Sequence, residues 1–287
     1  MKDLTNRGRM LISCPDGPGI VATVSQFLFQ NGANIVQSDQ HSTDPEGGRF
    51  FMRIEFDLPN LAERLPELEQ QFHDIASRFQ MAWRMTHAGV KKRLAIFASK
   101  EEHCLQELLW RWQLGELPAE IVMVVSNHRD LEPLVKPFQI PYFYVPVDKS
   151  KREEAEEIHL QLLEGKVDTI VLARYMQIIP PRMVQRYRNQ IINIHHSFLP
   201  AFVGGRPYHQ AYERGVKIIG ATAHYVTEEL DQGPIIEQDV QRVDHRDQVD
   251  DLKRIGRDVE RIVLARAVRW HLEDRVLVYG NKTIVFS

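Results

Sequence analysis

Two short stretches of the chain carry side chains that suit acyl transfer or hydrolysis. Asn193 and His195 end an apolar strand-like run, and Asp231 lies in a Leu-Asp-Gln-Gly-Pro turn further along. Residues two apart on a strand point to the same side, so Asn193 and His195 face one cleft. Acyl chemistry needs hydrogen-bond donors where charge develops on the carbonyl oxygen, and a positioned group for proton transfer. We therefore predict a catalytic set in which Asn193 and His195 polarise a carbonyl oxygen, while Asp231 orients a water molecule and His195.

Each member of this set also has a simpler explanation. Asn193 alone is compatible with a turn, His195 with a buried, hydrogen-bonded histidine, and Asp231 with an ordinary turn residue. Their convergence on one cleft favours the catalytic interpretation. On that interpretation, apolar surroundings raise the pKa of the Asp231 carboxyl group.

A metal centre is a competing use of the histidines. His195, His196 and His224 are conceivable zinc ligands, but adjacent residues on a strand point to opposite faces and the sequence has no H-x-x-x-H pair. We therefore predict no metal. Ser197 is not favoured as a nucleophile, because it lacks the G-x-S-x-G context of a nucleophile elbow.

Composition narrows the class of protein. The 287 residues, 43% hydrophobic and 26% charged, indicate a folded soluble protein of one large or two moderate domains. The formal net charge of -3 argues against a nucleic-acid partner. Cys14 and Cys104 are far apart, which argues against a disulfide scaffold or a thiolate metal site. Without a ~20-residue apolar run or a signal-peptide core, we predict a cytoplasmic protein that makes no membrane contact.

The elements that must position these residues fall into two groups, and the first group occupies residues 1–88. Hydrophobic periodicity and the turn residues between its segments predict the order βαββαβ, which is the ferredoxin-like split unit. The predicted strands are 8–14, 34–42, 49–58 and 82–87, and the predicted helices begin at Ile20 and span 61–80. A linker at 89–93 follows.

Residues 94–287 show a different pattern, in which strands and helices alternate. Strands are predicted at 94–99, 121–126, 142–147, 167–174, 190–194, 216–227 and 235–243, with helices between most of them, a long helix at 248–272 and a closing hairpin at 276–286. This α/β alternation predicts a doubly wound, mostly parallel sheet. Ligands of such sheets bind at the carboxyl ends of the strands, where Asn193 and His195 are expected.

A nucleotide site is the usual expectation for such a sheet, but the first turn of this domain does not suit one. The run Ser99-Lys100-Glu101-Glu102-His103 contains no glycine, and its two carboxylates would repel a phosphate. Neither G-x-G-x-x-G nor a P-loop occurs in the chain. Dehydrogenase and P-loop functions are therefore disfavoured.

In the first domain, the loop Pro15-Asp16-Gly17-Pro18-Gly19-Ile20 resembles the signature loop of ACT regulatory domains, and the likeness extends over about 6–88. Such a resemblance implies a homo-oligomer with an even number of subunits. It also implies an amino-acid effector, with glycine and methionine as candidates, bound near Asp16, Gly19 and Asn34 between paired copies. A purely structural dimerisation module is the alternative.

In the second domain, the run Asn193-x-His195-x-Ser197-x-Leu199-Pro200 is followed by the strand 220–226 and by Leu-Asp-x-Gly-Pro-Ile at 230–235. Together they resemble the 10-formyltetrahydrofolate-dependent formyltransferases, over roughly 94–243. The resemblance implies that Asn193, His195 and Asp231 are catalytic, and that the folate is a substrate so that no further cofactor is needed. It also implies a pteridine pocket along 173–179, with folate contacts from Met176, Gln177 and Ile179.

Two departures from that family pattern bear on the acceptor. The Gly- and Ser-containing phosphate loop is replaced by Ser99-Lys100-Glu101-Glu102, and the usual proline after the catalytic histidine is replaced by His196. The resemblance then implies water as the acceptor, with release of formate and tetrahydrofolate that balances one-carbon pools and supplies formate for purine synthesis. Glycinamide ribonucleotide or methionyl-tRNA formyl transfer, and a non-catalytic amino-acid and folate sensor, are the alternatives. His196 is a candidate for admitting or holding the water.

Overall fold

The computed structural model describes residues 4–44, 47–148, 150–201 and 206–287. Its contacts divide the chain into two compact units. Unit 1 comprises Met1–Lys91 with Glu273–Leu277 and Ile284–Ser287, and unit 2 comprises Lys92–Leu272 with Val278–Thr283. Two C-terminal segments of the predicted second domain, 94–287, therefore belong to unit 1. The predicted linker, 89–93, is also shorter, because a strand already begins at Lys92.

The main part of unit 1 has the predicted βαββαβ order. Its elements are β1 Arg7–Pro15, α1 Ile20–Gln30, β2 Asn34–Ser42, β3 Arg49–Asp57, α2 Leu61–Arg78 and β4 Ala82–His87. The strands form an antiparallel sheet in the order β2-β3-β1-β4. The prediction of a ferredoxin-like first domain is confirmed.

The core of unit 1 lies between this sheet and its two helices. Apolar residues of α1 recur at helical spacing, so Ile20, Val24 and Phe27 share the buried face. The ring of Phe27 packs on Phe72 of α2 at 5.1 Å between centroids, and Phe72 meets Trp83 of β4 edge-on at 5.0 Å. Apolar burial of this kind supplies most of the stability of such a unit.

A buried arginine holds the C-terminal segment in unit 1. The side chain of Arg53 is fully buried in β3, and its Nε donates to the carbonyl of Asp274 at 2.8 Å while Nη2 donates to the carbonyl of Glu273 at 3.0 Å. The Asp274 carboxylate, also buried, accepts from Thr86 at 3.0 Å and from Arg84 at 3.3 Å. Buried donors need acceptors, and Nε and Nη2 of Arg53 reach these two carbonyls only when the C-terminal segment is in place.

Unit 2 contains the alternating elements. They are β5 Lys92–Ala98, α3 His103–Gln113, β6 Ala119–Ser126, α4 Glu132–Val135 with a 3-10 turn Lys136–Phe138, β7 Tyr142–Tyr144, α5 Arg152–Leu163, β8 Thr169–Ala173, α6 Pro181–Arg186, β9 Ile191–His195, α7 Pro207–Arg214, β10 Ile218–Tyr225, β11 Ile235–Arg242 and α8 Val249–Leu272. The hairpin strands β12 Val276–Tyr279 and β13 Lys282–Val285 close the chain.

The sheet of unit 2 has seven strands in the order β11-β10-β9-β8-β5-β6-β7. Strands β5 to β9 pair in parallel, whereas β10 and β11 are antiparallel additions at one edge. The predicted mostly parallel, doubly wound sheet is confirmed. All five residues of β8 are buried, as expected for a central strand covered on both faces.

Helix α8 is tied to this sheet through a buried histidine. The two ring nitrogens of His271 lie 2.8 Å from the Tyr225 hydroxyl and 3.0 Å from the Thr169 hydroxyl. These contacts connect α8 to β10 and β8, the strands next to β9. Over the described ranges, no helix combines the length and apolarity that a membrane crossing requires.

Candidate active site

The predicted catalytic residues line one cavity of about 350 Å³ in unit 2. Strands β8 and β9 run in parallel, and their carboxyl ends open into it, as expected for ligand sites of such sheets. The predicted folate contacts line the same cavity. Its lining residues include Leu172, Arg174, Tyr175, Met176, Gln177, Ile179, Asn193, His195, His196, His224, Val226, Leu230 and Asp231.

His195 and Asp231 form a close pair. His195 Nδ1 lies 3.2 Å from Asp231 Oδ2, and both side chains are more than nine-tenths buried. Asp231 has a left-handed backbone, with φ of 56°, in the turn before β11. A Cβ at Gly233 would lie 1.7 Å from the Tyr225 carbonyl oxygen, so only glycine lets this turn approach β10 closely enough to deliver the carboxylate.

The prediction of a raised pKa for Asp231 was wrong. The pKa of this carboxyl group lies well below its usual value, because side-chain hydrogen bonds from His195 and then His224 outweigh the opposing effect of burial. His224 Nε2 lies 3.6 Å from Asp231 Oδ1. The sequence predicted apolar surroundings for Asp231, but two imidazoles face its carboxyl group. Asp231 is therefore a carboxylate at neutral pH.

Asn193 is oriented by His224 on the neighbouring strand. The two residues face each other in the antiparallel β9–β10 register, with Asn193 Nδ2 3.2 Å from His224 Nε2. His224 Nδ1 lies 2.9 Å from the Tyr225 carbonyl oxygen, which can only accept. His224 Nδ1 therefore donates to that carbonyl, and the Asn193 amide, which carries two N–H groups, can meet His224 with one side and keep an N–H for a ligand.

The contact with Asp231 uses only one ring nitrogen of His195. Its Nε2 is buried and has no hydrogen-bond partner among the described residues. The ring stacks on His196, with centroids 5.3 Å apart. Burial, and then the charge of Arg174, lower the pKa of His196 to about 4, so this ring is neutral at neutral pH. His196 adds no charge beside the free nitrogen.

The segment predicted to contact folate forms an apolar wall of the cavity. Met176, Gln177 and Ile179 line it, and the Met176 side chain is 56% exposed, which leaves apolar surface for a planar ligand. The backbone N–H of Met176 donates to Ser99 Oγ at 2.9 Å, and Ser99 in turn donates to Asn127 Oδ1 at 2.7 Å. The turn after β5, which lacks a phosphate-binding glycine, thus anchors this wall.

A cluster of side chains that could in principle bind a metal lies beside the cavity. Among the described residues, ligand atoms of His103, Cys104 and Glu260 lie within 4.8 Å of one another. Glu260 already accepts from the Tyr208 hydroxyl at 2.5 Å, and its other oxygen lies 2.8 Å from His103 Nε2. Burial raises the pKa of the Cys104 thiol well above its usual value. This donor set fits a hydrogen-bonded carboxylate better than a metal centre.

The three residues predicted to hold a regulatory ligand are not together within one copy of unit 1. Asp16 and Gly19 lie in the loop before α1, where the Asp16 carboxylate accepts from the Ser42 hydroxyl at the end of β2. Asn34 lies at the start of β2, and a strand of that length places it about 26 Å from Ser42. A single site with Asp16 and Asn34 therefore requires two copies of the chain.

His224 and Arg174 are two of the cavity residues that were not assigned to the active site from the sequence. His224 appeared there only as a conceivable zinc ligand, because its position opposite Asn193 depends on the antiparallel pairing of β9 and β10. Arg174 follows β8 with φ of 60°, a conformation that residues other than glycine rarely adopt. The signal for Arg174 in the sequence is its position in the run 173–179, where the family resemblance points to apolar contacts.

Two family models match this chain. The Formyl transferase model matches residues 92–268, and the ACT domain model matches residues 9–73. The fold, the cavity and both matches define the class of protein as a formyl transferase-type domain joined to an ACT domain. This agrees with both resemblances drawn from the sequence.

Full-length relatives narrow the class further. A formyltetrahydrofolate deformylase from Bacillus subtilis (strain 168) is 60% identical over 283 residues, covering 98% of this chain and 94% of that protein. One from Synechocystis sp. (strain ATCC 27184 / PCC 6803 / Kazusa) is 51% identical over 288 residues, covering 100% of both. The crystal structure of a formyltetrahydrofolate deformylase from Pseudomonas syringae pv. tomato str. DC3000 has a TM-score of 0.93 and 53% identity, covering 98% of this chain and 94% of that one. The chain belongs to the formyltetrahydrofolate deformylase family.

Proposed function

We propose that this protein hydrolyses 10-formyltetrahydrofolate to formate and tetrahydrofolate. The observation that carries the proposal is one cavity that joins Asn193, His195 and Asp231 to the apolar wall at Met176. Its relatives carry the name of that activity over their full length. The folate is the substrate, and the proposed chemistry needs no further cofactor. Release of formate would balance one-carbon pools and supply purine synthesis.

The catalytic roles follow from the positions of the protons. Asp231 is ionised and keeps a proton on His195 Nδ1, so His195 Nε2 accepts the proton of the attacking water. The water oxygen bonds to the formyl carbon, and the free N–H of Asn193 donates to the oxygen that becomes negative. When the intermediate collapses, the bond from the formyl carbon to N10 breaks, and the His195 imidazolium returns its proton to N10. This proposal gives His195 proton transfer and leaves Asn193 to polarise the oxygen.

Water is the acceptor in this proposal because the described turn after β5 does not suit an amine nucleotide acceptor. The turn after β5 contains no glycine, and Glu101 and Glu102 sit where a phosphate would be bound. Ser99 is already engaged by Met176 and Asn127. Transfer to glycinamide ribonucleotide and a non-catalytic folate sensor are therefore disfavoured.

The direct test is incubation of the purified protein with 10-formyltetrahydrofolate and no acceptor, followed by assay of formate and tetrahydrofolate. Asp231→Asn is expected to lower kcat by roughly a thousandfold or more, because it removes the charge that holds His195 in place. Asp244→Asn, an exposed carboxylate in the same unit, is the matched control and should keep full activity. Formate release no faster than the uncatalysed rate would refute the proposal, and strict dependence on glycinamide ribonucleotide would identify a transferase.

For unit 1 we propose regulation by a small amino acid, glycine or methionine, bound between paired copies in a cytoplasmic homo-oligomer of even number. The separation of Asp16 from Asn34 along β2 supports a site shared by two copies. Asp16→Asn should abolish the response of the hydrolysis rate to either amino acid while the rate without effector persists. If neither amino acid binds the wild type and its mass by light scattering is still an even multiple, unit 1 is only a dimerisation module.

A further inference from the structure

Arg174 occupies an unusual position in the cavity. It follows β8 directly, its φ is 60°, and its side chain is only 13% exposed although it lines the cavity with His195 and His196. A left-handed conformation costs a non-glycine residue roughly 1 kcal/mol and persists where the surrounding structure enforces it. A long, charged side chain is therefore held in the cavity wall at a measurable cost.

Arg174 has a carboxylate partner for its charge but lacks acceptors for some of its hydrogen-bond donors among the described residues. Glu260 of α8, 1% exposed, lies 3.4 Å from Arg174 Nε. The Glu260 oxygens are already used by the Tyr208 hydroxyl and by His103. Arg174 Nε and Nη1 are buried with no hydrogen-bond partner among the described residues. Buried donors almost always have a partner, so this guanidinium is suited to a ligand that accepts hydrogen bonds.

We propose that Arg174 binds an anion in the cavity and receives the formate carboxylate as it is released. The inference rests on the proposed hydrolysis. Water and a formamide give an amine, formate and one proton, whereas transfer to an amine gives a neutral formamide. A guanidinium is permanently charged and offers only hydrogen-bond donors, so it binds a carboxylate and repels a protonated amine. Arg174 thus favours the product set of hydrolysis over that of transfer.

The neighbouring groups leave this charge available. His196, beside Arg174, is neutral, and Glu260 is shared among Tyr208, His103 and Arg174. Glu260 therefore holds the guanidinium in place but does not accept hydrogen bonds from all of the Arg174 donors. We expect that Arg174 accepts formate and that Glu260 positions it.

The test compares Arg174→Gly and Arg174→Lys with the wild type. Glycine adopts φ of 60° without strain, so Arg174→Gly is the variant most compatible with the backbone. Inhibition by sodium formate, with sodium chloride at equal ionic strength as the reference, should weaken by about tenfold or more in Arg174→Gly, as expected for loss of a charge-assisted pair. The KM for 10-formyltetrahydrofolate should change by less than about threefold, and Arg174→Lys should be intermediate. Arg182→Lys, an exposed arginine of α6, is the matched control.

A purely structural role gives a different result. If Arg174→Gly lowers the melting temperature but is inhibited by formate like the wild type, the inference is overturned. If Arg174→Gly does not fold, unchanged inhibition of Arg174→Lys overturns it. Binding of carbon-13 formate, measured by NMR on the folate-free protein, separates this inference from the proposed function. A wild type that releases no formate refutes the hydrolysis, whereas equal formate binding by wild type and Arg174→Gly refutes only the role of Arg174.

Discussion

The first stability prediction concerns His159, a buried histidine of α5 that lies beside Tyr175, behind the apolar wall at Met176. Its ring lies 5.2 Å from the Phe97 ring and 6.4 Å from the Tyr175 ring, and its Nε2 has no hydrogen-bond partner among the described residues. Burial in these surroundings lowers the pKa of His159 to about 4. Because Tyr175 precedes Met176, charging this ring would disturb the wall of the cavity.

The sign and size of the effect follow from linkage. Between pH 4 and the ordinary histidine pKa near 6.5, the unfolded chain binds a proton at His159 that the folded chain does not. Stability is therefore lost as the pH falls through that window. A shift of this size corresponds to about 2 kcal/mol of the free energy of unfolding between about pH 7.5 and pH 5, and about 3 kcal/mol once the pH is below 4. The screening of exposed charges does not apply, because the residue is 5% exposed.

His159→Leu removes the titration and keeps an apolar side chain of similar size. The variant should be within about 1.5 kcal/mol of the wild type at pH 7.5, and should lose about 2 kcal/mol less than the wild type on transfer to pH 5. Urea unfolding followed by tryptophan fluorescence at both pH values measures the difference, provided that the m-values agree. His196 has a similarly lowered pKa and titrates in both proteins, so it cancels. An identical pH dependence in both proteins would refute the reasoning.

Three further predictions test the site and the fold. Asn193→Ala should lower kcat by roughly 100-fold or more, with little change in melting temperature, because one donor to the developing oxyanion is lost; steady-state rates and thermal melts check this. Ser99→Ala removes the acceptor of the Met176 N–H and should raise the KM for 10-formyltetrahydrofolate by about three- to tenfold, with a smaller effect on kcat. Arg53→Met removes the donor of the Asp274 and Glu273 carbonyls and a charge partner of Glu55 in unit 1, and should cost about 3 kcal/mol or more in urea unfolding.

Local patterns were sufficient to predict most elements of both units. The turn 15–19 and the helical spacing of Ile20, Val24 and Phe27 specify the start of α1, and Gly280-Asn281 marks the turn between β12 and β13. The placement of the C-terminal segment in unit 1 was not predicted. It depends on Arg53 and Asp274, which are more than two hundred residues apart, and neither residue type signals burial on its own.

The site was predictable where it depends on strand alternation or on a motif. Asn193 and His195 follow from their spacing on one strand, and Asp231 from its turn. The role of His224 and the sign of the Asp231 pKa shift both depend on the antiparallel pairing of β10 with β9, which no local pattern specifies. Two imidazoles brought within hydrogen-bonding range reverse the effect of burial on the carboxylate.

The choice between hydrolysis and transfer depends on residues around the catalytic set, because Asn193, His195 and Asp231 suit either reaction. A donor to the formyl oxygen and a carboxylate-supported imidazole are needed whether water or an amine attacks. What differs is the acceptor side of the cavity. Ser99, in the turn after β5, is engaged by the Met176 backbone, and on our proposal Arg174 offers a guanidinium that suits an anionic product. Changing the acceptor therefore requires changes after β5 and β8, and substitutions in the catalytic set alone would only lower the rate.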